Sequence, residues 1–170
     1  MDNLDWVKYL KDKKIIAIDP GKNGGIVVYS IDRDELVAVV RMPETPMDLL
    51  KFISKYQKNA VCYLEKVGGM PGQGGKSMFT FGQGVGHLEM ALLACKVKTI
   101  TVTPQEWQKK LQTGTKGKRS DREWKKHLKA IAQRIYPTVG DKFNLKTQED
   151  WLRVSDALLI SEYSRLIEKV

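Results

Sequence analysis

Residues 13–43 read KKIIAIDPGKNGGIVVYSIDRDELVAVVRMP, and this stretch decides the fold. IIAID (15–19) and GIVVYSI (25–31) are rich in β-branched residues and flank a Gly-rich turn; LVAVVRM (36–42) is a third such run. Apolar β-formers broken only by short Gly, Asp and Asn segments predict a three-stranded meander. Asp19 stands at the end of the first run, where Pro20 and Gly21 force the chain to turn. A carboxylate there is set at the mouth of a sheet rather than within it.

Downstream, PMDLLKFISKYQ (46–57) has helical spacing at Leu49, Leu50, Ile53 and Tyr56. AVCYLEKV (60–67) is another buried strand and ends on Glu65 as the first ends on Asp19. Residues 68–86 are Gly-rich and read as a loop, followed by an apolar helix, HLEMALLAC (87–95), and a strand, VKTITVTP (97–104). PQEWQKKL (104–111) starts a helix, and Ser120 with Glu123 forms a capping box for the next. The core stripe of that helix is Trp124, Leu128, Ile131 and Ile135. The chain closes with the helix QEDWLRVSDALLISEYSRLIEKV. A short helix is expected over 4–12. No repeat or linker divides the 170 residues, so one mixed α/β domain is expected, with 1–12 as an N-terminal extension.

The charge is +9, from 29 Lys and Arg against 20 Asp and Glu. Such a surplus attracts phosphate backbones. Cys62 and Cys95 lie in apolar runs and read as buried free thiols in a reducing compartment. No zinc spacing, signal peptide or membrane-spanning run is present, so an intracellular, cytoplasmic protein is expected. GQGGKS (72–77) invites a P-loop reading, but the required glycine position holds Met70, so no nucleotide cofactor is expected.

The acids carry the chemistry. Asp19 and Glu65 end strands and converge if those strands lie side by side. Asp156 precedes ALLI on the inner part of the last helix, where a charge needs a partner or a metal. Any one of the three alone would read as a turn residue, cap or ion-pair partner. Together they point to a site for Mg²⁺, with Mn²⁺ able to substitute, and to phosphodiester hydrolysis.

IAIDPGKNGG (16–25), YLEKVGGMPGQGGKSMFTFGQGVGHLEMALL (63–93), VTPQEWQKKL (102–111) with KGK (116–118), and SDALLISEY (155–163) together resemble the RuvC family of Holliday junction resolvases. The branch they are most similar to is the one found in phages, prophages and plastids. The resemblance implies an RNase H-like fold with a five-stranded mixed sheet flanked by helices. It also implies a homodimer that nicks four-way DNA junctions in pairs, with Asp19, Glu65 and Asp156 as metal-binding catalytic acids. The family usually has another acid three or four residues before the position of Asp156, and here those positions hold Arg153 and Leu152. Asp150 is the preferred substitute, from a helix starting near Trp151. Glu149 and a three-acid site are the alternatives.

DNA contacts are expected from Lys76, Ser77, Phe79 and Phe81 in the Gly-rich segment, with the phenylalanines able to stack on bases or to anchor the loop in the core. Lys116, Lys118, Arg119 and Lys125 are expected on phosphates, although a charge run is more often a solvated face. His87 and His127 read as structural or exposed rather than catalytic. A less selective endonuclease for forks, flaps and other branched DNA, and a non-catalytic junction-binding module, are the rival functions.

Overall fold

The computed structural model describes residues 12–68 and 74–169. Residues 4–11 of the helix expected over 4–12 fall outside that range, and Asp12 is not helical; 69–73 of the Gly-rich segment also lies outside. Five strands form one sheet: β1 (Lys14–Asp19), β2 (Gly25–Ser30), β3 (Glu35–Arg41), β4 (Ala60–Glu65) and β5 (Lys98–Val102). Their order is β3-β2-β1-β4-β5. The meander β1-β2-β3 is antiparallel, while β4 and β5 join it in parallel. The helices are α1 (Pro46–Tyr56), α2 (Gly75–Ala94), α3 (Pro104–Lys110), α4 (Asp121–Ile135), α5 (Val139–Lys142) and α6 (Gln148–Glu168).

Alternation along the strands divides the core in two. Ile15, Ala17, Val61 and Tyr63 face one layer, which holds Trp107, Trp124, Leu128 and the buried length of α6. Ile16, Ile18, Cys62 and Leu64 face the other, against α1 and α2 through Leu49, Ile53, Leu88 and Leu92. With a side-chain period of two, Asp19 and Glu65 continue the first set, toward α6. Helix α6 is buried from Val154 to Ser161, lying between the sheet and α4. Helices buried all round normally carry no charge, which makes Asp156 stand out.

The Gly-rich segment departs from the expected loop. From Gly75 it is already helical, so α2 begins twelve residues before His87. Each interior glycine disfavours a helix by about 1 kcal/mol relative to alanine. Packing of Leu88, Ala91 and Leu92 on the sheet overrides that local preference. Lys76, Ser77, Phe79 and Phe81 therefore ride on the first two turns of a helix.

Both cysteines are buried free thiols, as expected. Among the described residues no helix is long and apolar enough to cross a membrane.

Candidate active site

Strands β1 and β4 are parallel neighbours with Ile18 opposite Leu64. Asp19 and Glu65 are the next residues on each, so they leave the same end of the sheet on the same face. The β1–β2 turn then lets α6 approach. A Cβ on Gly24 would lie 2.0 Å from the Asp19 carbonyl oxygen, and one on Gly25 would lie 2.9 Å from that of Arg153 in α6. The Gly24-Gly25 pair thus allows the close crossing that brings α6, three residues further on, to Asp19. Gly21 has φ +111°, and a Cβ there would meet the Phe81 ring at 3.1 Å. Phe81 packs over the turn that follows Asp19, while Phe79 is 72% exposed.

The three acids do converge. Asp19 and Glu65 lie close enough to interact electrostatically. Burial, and then the charge of Asp156, hold the Asp19 carboxyl well above its ordinary value, opposed by Lys125. Burial pushes Glu65 up to about 7, against the Trp107 indole N–H, which donates to Glu65 Oε1 at 2.9 Å and favours the charged form. Asp156 is 7% exposed, and its Oδ1 is buried with no hydrogen-bond partner. Its Oδ2 lies 3.0 Å from Lys125 Nζ, which is also 3.8 Å from Asp19 Oδ2. Burial alone would lower the Lys125 ammonium; Asp156 and Asp19 outweigh it and raise it.

Sequence reasoning placed Lys125 with the phosphate-binding cations, and the structure places it against the acids. Ala132, seven residues on and so on the same helical face, is fully buried. That burial comes from the packing of α4 against α6, so the helix's own sequence carries no signal that singles out Lys125. Trp107 was read only as part of a helix. Its capping box, Thr103 with Glu106, fixes α3 directly after β5, and the indole then reaches back across to β4.

Asp150 is a correction. Helix α6 starts at Gln148, not near Trp151, which puts Asp150 in its first turn. Its Oδ2 accepts from the backbone N–H and hydroxyl of Thr147, both at 2.8 Å, and its Oδ1 pairs with Arg41. The capping box and the arginine employ both oxygens, so Asp150 does not join the other three. Glu149 is exposed and pairs with Arg153 Nε at 3.0 Å. Arg153 also donates to the Lys22 carbonyl at 3.3 Å, across the turn that follows Asp19.

The basic loop before α4 leads into the helix that carries Lys125. Lys116 pairs with Asp121, Arg119 lies 5.8 Å over Trp124, and Lys118 is exposed. Lys76 and Ser77 are also exposed. His127 is structural: it bonds the Thr113 carbonyl at 2.8 Å and stacks on Trp124.

Among the described residues no three Asp, Glu, His or Cys side chains are arranged to hold an ion as they stand. The donor set nevertheless suits a hard divalent cation: three carboxylates, one with an orphaned buried oxygen, two held toward their neutral forms chiefly by burial. One monovalent ammonium now stands between two of them.

The same charge imbalance predicts a pH effect. A carboxyl whose folded pKa exceeds its unfolded value near 4 binds its proton more tightly in the native state. Its stabilising contribution is full below that unfolded value and is lost as pH rises through the folded value, about 7 for Glu65. In EDTA, the denaturant midpoint should therefore fall between about pH 5 and about pH 8. Glu65→Gln should flatten that fall, and equal slopes for the two proteins would refute the assignment.

No protein family's sequence profile matches this chain, and no curated protein does. Solved structures do match. T. thermophilus RuvC in complex with Holliday junction substrate aligns with a TM-score of 0.60 at 13% identity, covering 92% of this chain and 96% of that one. A second Thermus thermophilus RuvC structure aligns at 0.56 with the same identity and coverage. The fold is that of RuvC. The five-stranded mixed sheet with flanking helices is the RNase H-like arrangement that the sequence resemblance implied.

Proposed function

We propose that the protein is a structure-selective DNA endonuclease that resolves four-way junctions by paired nicks from a homodimer. The observation that carries this is the meeting of Asp19, Glu65 and Asp156 at one end of a sheet with the RuvC fold. Buried carboxylates that repel one another destabilise a fold that does not use them, and such groupings concentrate at functional sites.

Asp19, Glu65 and Asp156 would hold Mg²⁺, with Mn²⁺ as substitute. Bound there, a divalent cation supplies charge stabilisation to the pentacoordinate phosphate and lowers the pKa of attacking water. The chain's own part is positional. Trp107 fixes the rotamer of Glu65 and favours its ionised form. The Gly24-Gly25 crossing sets the spacing of Asp19 and Asp156. Lys116, Lys118 and Arg119, with Lys76 and Ser77, are suited to phosphate contacts that orient the junction without reading sequence. Exposed Phe79 is suited to stacking on an unpaired base, whereas Phe81 anchors the helix start to the turn after Asp19.

The homodimer is supported by the outer face of α2. Phe79, Met90 and Leu93 are 72%, 62% and 70% exposed, and their spacing places them on one stripe. Added Cβ atoms on Gly82, Gly84 and Gly86 would meet nothing, so these glycines leave room for a neighbour to approach closely.

A gel comparing four-way, three-way, flap and linear duplex DNA in Mg²⁺ tests the reading. The four-way junction is expected to be nicked symmetrically and linear duplex to be left intact. Equal cutting of flaps and forks would favour a general branched-DNA nuclease, and equal cutting of linear duplex would overturn junction selectivity. Binding without any metal-dependent product would leave only a junction-binding module.

A further inference from the structure

We propose that Lys125 is the resident counter-cation of the acidic cluster, and that a divalent ion enters only by displacing its ammonium. The inference rests on the reading of Asp19, Glu65 and Asp156 as metal ligands. It adds a competitor, built into the chain, that sets how tightly those ligands bind.

The geometry points to a shared position. Lys125 Nζ lies 3.0 Å from Asp156 Oδ2 and 3.8 Å from Asp19 Oδ2, against two of the carboxylates that would hold a divalent ion. Two cations side by side in a largely dehydrated site repel strongly. Lys125 and the ion cannot both keep that place. The lysine has somewhere to go, because its side chain is 45% exposed while the two aspartates it serves are 9% and 10% exposed. Its long stem carries the charge from the cluster to solvent by rotamer changes alone.

The ammonium also leaves work undone. It supplies one positive charge to three carboxyls, and Asp156 Oδ1 stays unpartnered. A divalent ion brings twice the charge and can accept the orphaned oxygen as a ligand. Lysine is therefore a placeholder. It holds three mutually repelling acids in position when no metal is bound, and it weakens apparent metal affinity by the fraction of time it stays in place. If the ammonium is out of the cluster in about one molecule in ten, the apparent dissociation constant is about tenfold higher than the intrinsic one.

Mn²⁺ binding to the full-length protein, followed by calorimetry and by the loss of free-ion EPR signal, tests this without reference to cleavage. Lys125→Met is expected to bind Mn²⁺ about tenfold more tightly than wild type. In EDTA the variant should unfold at lower temperature than wild type, and Mn²⁺ should abolish the difference. Asp156→Asn should abolish binding in either background. If Lys125→Met binds no more tightly than wild type while Asp156→Asn still abolishes binding, the placeholder role is wrong and the metal site stands. If wild-type binding is absent or indifferent to Asp156→Asn, the metal-ligand reading fails and takes this inference with it. A measurement on wild type alone guards against a variant that does not fold. Modification of Lys125 by an amine-directed reagent, mapped by mass spectrometry, should speed up several-fold when Mn²⁺ saturates the protein. A rate unchanged by bound Mn²⁺ overturns the proposal.

Discussion

Glu65→Gln is expected to reduce nicking of a synthetic four-way junction in Mg²⁺ by roughly 10³-fold or more, with junction affinity nearly unchanged. The substitution is close to isosteric. The glutamine carbonyl can still accept the Trp107 N–H that now reaches Glu65 Oε1 at 2.9 Å, so β4 and α3 keep their relation. Only the negative charge is lost. In the proposed site that charge is one of three holding the cation. Losing several kcal/mol of stabilisation of the transition-state phosphate corresponds to about three orders of magnitude in rate. In the proposed reading affinity would rest on the cationic loop and helices instead, through salt-sensitive phosphate contacts that do not involve Glu65. Single-turnover nicking and fluorescence anisotropy on the same preparation separate the two effects. A variant that cleaves at wild-type rate would remove Glu65 from the site. A variant that loses binding and cleavage together would assign Glu65 to DNA positioning.

Asp19 and Glu65 were legible in the sequence because each follows a strong local signal. IIAID and VCYLE are runs of strand formers that end on a carboxylate, and a period of two carries both acids to one face once the strands are adjacent. Adjacency itself is a long-range fact. It depends on β4 pairing in parallel with β1 after a helical crossover, which the order of elements allows but does not dictate. The same holds for Lys125. On its own helix it is one cation among several flanking a Trp124 stripe, and only the packing of α4 against α6 turns it inward.

Asp150 shows the opposite case, a local signal outweighed by a tertiary expectation. Thr147-Gln148-Glu149-Asp150 has the spacing of a capping box, and reading it as one places the helix start at Gln148. The family's usual fourth acid argues instead for a start near Trp151, where Asp150 would be free. Local capping chemistry prevailed because it satisfies backbone donors at the helix start, and Arg41 engages the remaining oxygen. Helix α2 errs the other way. Its glycines argue for a loop over the whole segment, and the apolar contacts of its second half extend the helix through them.

Trp107→Ala is expected to destabilise the protein by about 3–5 kcal/mol, a large share of the stability of a domain this size. The indole is 1% exposed and fills the layer between the sheet and α6. Its removal leaves a cavity there and also deprives Glu65 of its donor. Trp107→Phe separates the two roles. A phenyl ring retains most of the apolar contact but cannot donate to Glu65 Oε1, so a partly buried carboxyl loses a bond that favours its charged form. Glu65 should then titrate above its present value of about 7, and the acid limb of the nicking profile should move to higher pH. Urea denaturation of both variants, with a pH profile for Trp107→Phe, measures each effect. A Phe variant with wild-type stability and an unmoved acid limb would show that the indole N–H does not govern Glu65. A large loss of stability in the Phe variant, equal to that of alanine, would show instead that the hydrogen bond, more than the ring, holds α3 against the end of β4.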